Sequence, residues 1–209
     1  GMNIPIVYED DWLLVVNKPA GLLSVPTPEK ESRTLTSILN QNLEEKGEKH
    51  RLHPCHRLDR ETSGLMIYAK AKSVQKKMMD AFRDRLVSKK YIAFAHGKLS
   101  HSQGQISSAI EGKSALTKYK VIKEKSNYSV LEVAPVTGRT NQIRIHFKNI
   151  QHPLVGEDKF VFRKDFALRF KRLCLHAQEL EFTHPVTGKH LCLRLAMPVE
   201  MKEFLEGHG

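Results

Sequence analysis

Residues 62–85 run TSGLMIYAKAKSVQKKMMDAFRDR, and the period of their apolar residues changes halfway. Leu65 to Ala69 follows a Thr62-Ser63-Gly64 turn as a short apolar run, which reads as a strand. From about Ser73 to Arg85 the apolar residues Val74, Met78, Ala81 and Phe82 return at helical spacing, and Lys76, Lys77, Arg83 and Arg85 mostly face solvent. The methionines of this helix read as core packing.

Upstream, Leu13 to Val16 is a second apolar strand, broken by the turn chemistry of Lys18-Pro19-Ala20-Gly21. Thr34 reads as the N-cap of a helix carrying Leu35, Ile38, Leu39 and Leu43, with Gly47 closing it. Downstream, strands are expected at Tyr91 to Ala95, Lys118 to Lys123 and Val130 to Ala134. Asn141 to Phe147 alternates as well, with Ile143, Ile145 and Phe147 on one face and Gln142, Arg144 and His146 on the other. The tail reads as a hairpin: Leu175 to Phe182, a turn through His184 to Gly188, then His190 to Ala196. Many strands and few helices, out of strict alternation, predict an α+β fold around a mixed, largely antiparallel central sheet flanked by helices and loops.

The length, 209 residues, suits one domain with a sizeable core, and no repeat or low-complexity tract divides it. Thirty-four Lys and Arg against twenty-three Asp and Glu leave a net charge of +11, for which a polyanion is the natural partner. No apolar run has the length to cross a bilayer, and the first residues lack the basic and apolar regions of a signal peptide. A cytoplasmic protein without a membrane partner is expected. Cys55, Cys174 and Cys192 form no Cys-x-x-Cys unit, so buried free thiols are expected in place of disulfides or a thiolate zinc site.

The densest polar cluster is His53 to Gly64. Within it, Asp59 has Arg57 and Arg60 close in sequence, and nearby guanidinium groups favour the ionised carboxylate. Such a carboxylate can act as nucleophile or base; a loop Asp in surface ion pairs is the plainer reading, and spacing alone leaves both open. His50, His53 and His56 fall at intervals of three, but Pro54 breaks the helix that would align them on a metal. Thr137 to His146 offers an amide, a guanidinium and an imidazole along one strand, a row suited to phosphate or carboxylate. Lys89 and Lys90 lead into a strand at Tyr91, a residue that can stack on a base.

These clusters, in this order, resemble the RluA-type family of RNA pseudouridine synthases. The resemblance begins at Asp11 to Pro26, runs through His56-Arg57-Leu58-Asp59 and Thr62-Ser63-Gly64-Leu65, and continues in Lys89-Lys90-Tyr91-Ile92-Ala93. Gly138 to His146, His152 to Gly156 and Leu175-His176-Ala177 complete it, over about Ile6 to Met197. It implies a sheet in two fused halves with a catalytic cleft across it, residues 2–209 forming a single catalytic domain without an appended RNA-binding domain. It implies that Asp59 attacks a flipped-out uridine, Tyr91 stacks on the base and Arg144 pairs with the Asp59 carboxylate. Arg57 would contact RNA beside the flipped nucleotide, with Lys18, Lys89, Lys90, Arg139 and Gln142 also facing RNA. The substrate would be ribosomal or transfer RNA and the enzyme a monomer.

The chemistry agrees. Moving the sugar from a base nitrogen to a ring carbon changes no oxidation state and hydrolyses nothing, so neither cofactor nor metal is required. A carboxylate beside the anomeric carbon is what glycoside chemistry uses, and the target must leave the stack to be reached. Asn141 stands where the family usually has a His, and the segment before Gly112 is shorter than in typical relatives. One rival is a catalytically silent RNA-binding protein of the same fold. Another is a metal-dependent nuclease or phosphatase, which needs more oxygen ligands than Asp59 alone provides.

Overall fold

The computed structural model describes residues 2–209. In chain order the elements are β1 (Ile6–Glu9), β2 (Leu13–Lys18), α1 (Leu35–Glu45), β3 (His53–Pro54), β4 (Ser63–Ala69), α2 (Lys72–Arg83) and β5 (Ser88–His96). There follow β6 (Gln103–Ile106), β7 (Thr117–Glu124), β8 (Tyr128–Pro135), α3 (Gln142–Asn149), β9 (Leu175–Thr183), β10 (His190–Arg194) and α4 (Val199–Gly207). The fold is α+β, with a mixed, largely antiparallel sheet flanked by helices. No helix among the described residues is long and apolar enough to cross a membrane. The chain divides into two compact units, one made of the residues up to Val87 with Glu179–Leu195, the other of Ser88–Gln178 with Ala196–Gly209.

In the first unit β1, β2 and β4 run antiparallel, with β2 in register from Leu13 opposite Ala69 to Lys18 opposite Gly64. Leu13–Val16 of β2 and Leu65–Ala69 of β4 are continuous apolar runs because both faces are covered. Leu13, Val15, Leu65 and Ile67 pack with Val74 and Met78 of α2 and with Leu180 and Phe182 of β9. The intervening Leu14, Val16, Met66 and Tyr68 pack with Leu35, Ile38 and Leu39 of α1. Helix α1 begins where its cap dictates: the Thr34 hydroxyl accepts the Ser37 amide at 3.1 Å, and the Ser37 hydroxyl accepts the Thr34 amide at 2.8 Å. The tail hairpin pairs Phe182 with Leu191 and Leu180 with Leu193, as its sequence suggests.

The second unit repeats the principle with β5, β8, β7 and β6 as antiparallel neighbours. Ala93, Ala95, Leu131 and Val133 share one core with Ile143 and Phe147. On the other face Ile92, Phe94, Tyr128 and Val130 meet Met201 and Phe204 of α4.

Two expectations are corrected here. Residues 142–149 are helical, not a strand, and α3 buries Gln142, Ile143, Arg144, His146 and Phe147 together. Asn141 starts the helix from a left-handed conformation at φ 57°, which an Asn tolerates better than most residues. Cys192 lies exposed on β10, whereas Cys55 and Cys174 are buried and burial pushes each thiol up to about 12.

Candidate functional site

Asp59 is half-buried in the loop between β3 and β4, and the backbone on either side of it is held by residues 18–24. The Ser24 hydroxyl donates to the Leu58 carbonyl at 2.6 Å and accepts the Leu58 amide at 3.1 Å. On the other side the Arg60 carbonyl accepts the Gly21 amide at 2.7 Å and the Lys18 ammonium at 3.1 Å. A turn bonding the Thr62 amide to the Asp59 carbonyl at 3.1 Å closes the loop. The aspartate therefore projects from a backbone clamped before and after it, the condition for a side chain that must meet a reacting atom in one geometry.

This arrangement overturns the expectation that Lys18 faces RNA. Its side chain is wholly buried, and its ammonium also donates to the carbonyls of Leu22 at 2.6 Å and Pro19 at 2.9 Å. Lys18 ties the 19–22 turn to the Asp59 loop. Arg57 and Arg60 are exposed, and a cavity of about 830 Å³ lies beside the brace, lined by Pro19, Gly21, Leu22, Arg33 and Arg60 among others. The Thr62 hydroxyl is buried without a hydrogen-bond partner, leaving a donor available near the aspartate in the chain. His56 works for the fold: its Nε2 accepts the Ile67 amide at 2.9 Å and its ring stacks on Phe82 with centroids 4.4 Å apart.

The second unit holds the other expected residues. Tyr91 is half-buried on β5, opposite Val133, on the strand face that also carries Ala93 and Ala95. Lys89 shares that face by alternation, with its ammonium 3.4 Å from the Thr137 carbonyl, and burial holds it below the ordinary lysine range. Lys90 points to the opposite face, 3.7 Å from the Glu132 carboxylate. The residues written together as Lys89-Lys90-Tyr91 are thus split between two surfaces.

Arg144 is 1% exposed on α3. Its Nε and one terminal nitrogen donate to the two Glu157 oxygens at 2.8 and 2.6 Å, a bidentate pair with no access to water. Burial would raise the Glu157 carboxyl, but Arg144 and the Lys159 and Asp158 amides outweigh it and hold the group below the usual range. Glu157 escaped the sequence reading; its signal was an acidic pair, Glu157-Asp158, directly after the Gly156 turn.

Gln142 is also corrected, being buried and fully engaged. Its amide donates to the Leu116 carbonyl at 3.0 Å and the Thr117 hydroxyl at 2.8 Å, while its oxygen accepts from the Thr137 hydroxyl at 2.6 Å and the Arg139 amide at 3.0 Å. The Thr117 hydroxyl continues to His146 Nδ1 at 2.7 Å, and His146 Nε2 donates to the Ser108 carbonyl at 2.8 Å. This closed network fixes α3, and with it Arg144, against β7. Arg139 stays half-buried, donating to the Ser114 carbonyl at 2.8 Å.

Comparison with known proteins gives a consistent result. A family model described as RNA pseudouridylate synthase matches residues 12–149. The chain is 36% identical over 202 residues to the dual-specificity RNA pseudouridine synthase RluA of Haemophilus influenzae, covering 89% of this chain and 90% of that one. It is 36% identical over 210 residues to the ribosomal large subunit pseudouridine synthase C of Rickettsia felis, covering 92% and 67%. Among solved structures, human RNA pseudouridylate synthase domain containing 4 matches with a TM-score of 0.82 at 25% identity, over 97% of this chain and 92% of that one.

Proposed function

Because the chain belongs to the RNA pseudouridylate synthase family and isomerises uridine in RNA, we propose that Asp59, Tyr91 and Arg144 carry the reaction. Residues 2–209 serve as one catalytic domain acting on structured RNA of the ribosomal or transfer class. The reaction breaks the bond from base nitrogen to anomeric carbon and rebuilds it from a ring carbon. That carbon gives up one proton and the freed nitrogen gains one, so atoms and charge balance without a co-reactant. Asp59 provides the carboxylate acting at the sugar once the nucleotide has left the stack. Tyr91 stacks on the detached base and assists its proton movements, and Arg144 supplies the fixed guanidinium of the reaction. Arg57, Arg139, Lys89 and Lys90 contribute positive charge toward the RNA backbone.

The observation that carries this reading is the brace on Asp59. Ser24, Gly21 and Lys18 grip the residues before and after it, an investment that a loop aspartate in a surface ion pair does not need. Asp59→Asn is expected to cut pseudouridine formation by roughly three orders of magnitude or more, with RNA affinity nearly unchanged. Retained isomerisation by that variant would refute the assignment. Tyr91→Phe is expected to bind RNA but to turn over roughly a hundredfold more slowly, measured under single-turnover conditions.

A further inference from the structure

The segment Asp158 to Arg172 is the most basic and aromatic stretch outside the residues discussed so far. It carries Lys159, Arg163, Lys164, Arg169, Lys171 and Arg172 against Asp158 and Asp165, with phenylalanines at 160, 162, 166 and 170. Its side chains divide into two sets. The arginines hold the segment in shape: Arg163 donates to the Gly156 carbonyl at 3.0 Å, Arg169 to the Phe166 carbonyl at 3.0 Å, and Arg172 to the Leu175 carbonyl at 2.9 Å and to Glu200 at 3.2 Å. The three lysines are exposed.

The phenylalanines divide in the same way. Phe160 lies under the Arg144 guanidinium at 5.4 Å, Phe166 stacks on His96 at 4.2 Å, and Phe170 packs on Phe204 at 4.9 Å. Phe162 does not join a core. It is 69% exposed, with the Lys164 ammonium 5.4 Å from its ring centroid. Leaving a Phe this open, on a segment pinned at its other rings, discards the stabilisation that burial would bring.

We propose that Phe162 is a stacking platform for an unpaired base of the substrate RNA, with Lys159, Lys164 and Lys171 neutralising the neighbouring phosphates. The ring face accepts any base, and the lysines follow the backbone without reading sequence. Through Phe160 the same segment adjoins Arg144, which the proposed function places in the reaction. The proposal rests on the function assigned above and names the part of the RNA this segment takes: single-stranded nucleotides, not a helix.

Binding of a single-stranded uridine-rich oligoribonucleotide and of a blunt RNA duplex, measured at several salt concentrations, tests it without requiring turnover. Phe162→Ala should weaken the single strand by roughly five- to a hundredfold and leave the duplex within twofold. Phe162→Leu should lose as much, and Phe162→Trp should retain binding, with the new indole's fluorescence quenched by the oligonucleotide in a Trp12→Phe background. Lys164→Ala should lower the salt slope by about 0.7. Equal weakening of duplex and single strand, full affinity in Phe162→Leu, or an unchanged Phe162→Ala would overturn the platform. Asp59→Asn, measured beside these variants for pseudouridine formation, reports separately on the catalytic reading.

Discussion

Two carboxylate centres, one in each unit, are built on opposite terms. In the second unit Arg144 and Glu157 face each other as full charges, at 1% and 0% side-chain exposure. In the first, the Asp10 carboxylate keeps 21% exposure and gathers four donors: the Tyr8 hydroxyl at 2.6 Å, the Trp12 and Leu13 amides at 2.8 Å each, and His184 Nε2 at 2.8 Å. His184 Nδ1 accepts the Val186 and Thr187 amides at 3.0 and 3.2 Å, so the imidazole there serves as a neutral bridge. Asp10 in turn pushes the Tyr8 hydroxyl up to about 12. The Arg144–Glu157 pair is sealed from water, whereas the Asp10 carboxylate near the surface can be rehydrated. The Arg144–Glu157 pair secures orientation, and the Asp10 centre joins the tail hairpin to the β1–β2 turn.

The largest disruption should come from the turn that delivers Glu157. Gly156 has φ +86°, and an added Cβ would sit 1.9 Å from the Arg172 carbonyl oxygen, a backbone atom that cannot swing away. Gly156→Ala should cost about 4 kcal/mol or more, read as a lost or much lower denaturation midpoint. Next comes Glu157→Gln, which takes the negative charge out of the buried pair with Arg144 and should cost about 3–5 kcal/mol. Pairing Arg144→Met with Glu157→Leu should recover most of that stability but no turnover, separating the hold on α3 from the chemistry. The smallest effect belongs to the first unit, where His184→Ala should cost about 1–2 kcal/mol. A cost for His184→Ala as large as that for Glu157→Gln would erase the contrast between the two centres.

Acid sharpens the same comparison. Burial would raise the Asp10 carboxyl, but Tyr8, the two amides and His184 together draw it below the usual range, and Glu157 is lowered as well. Both contribute stability that is present above the unfolded carboxylate values and lost as pH falls through the lowered ones, so it fades below about pH 4. In urea denaturation followed against pH, Asp10→Asn and Glu157→Gln should each start less stable near neutrality and lose less between pH 5 and about 2.

Strands β2 and β4, the tail hairpin and helices α1 and α2 were legible because one physical signal dominated each, whereas β1 and β3 went unread. Thr34 ahead of Leu35, Ile38 and Leu39, and the spacing of Val74, Met78 and Phe82, have a single reading. Helix α3 was not legible, because its text satisfies two periods. Ile143, Ile145 and Phe147 alternate, yet Ile143, Phe147 and Ile150 also recur at helical spacing, and all three of these belong to one core in the structure. What decides between the periods is polar: Gln142 and His146 are buried by a hydrogen-bond network whose partners lie at 108, 116, 117 and 137, distant in sequence. Lys18 was misplaced for a related reason. A lysine in a basic protein reads as exposed, and the carbonyls that hold it converge only after the chain has folded. Asp59 stood out by its motif, but its brace joins residues 18–24 to 58–60, which are distant in sequence.

Leu180 and Phe182 fill the same interior as Leu13, Val15 and Val74. During translation, the apolar faces of the amino-terminal portion must therefore wait for a hairpin made much later. At roughly 5–20 residues per second that interval lasts roughly five to twenty seconds, long enough for nascent-chain chaperones to compete with self-association. The order of the chain thus leaves apolar surface exposed during synthesis, which its finished stability does not reveal.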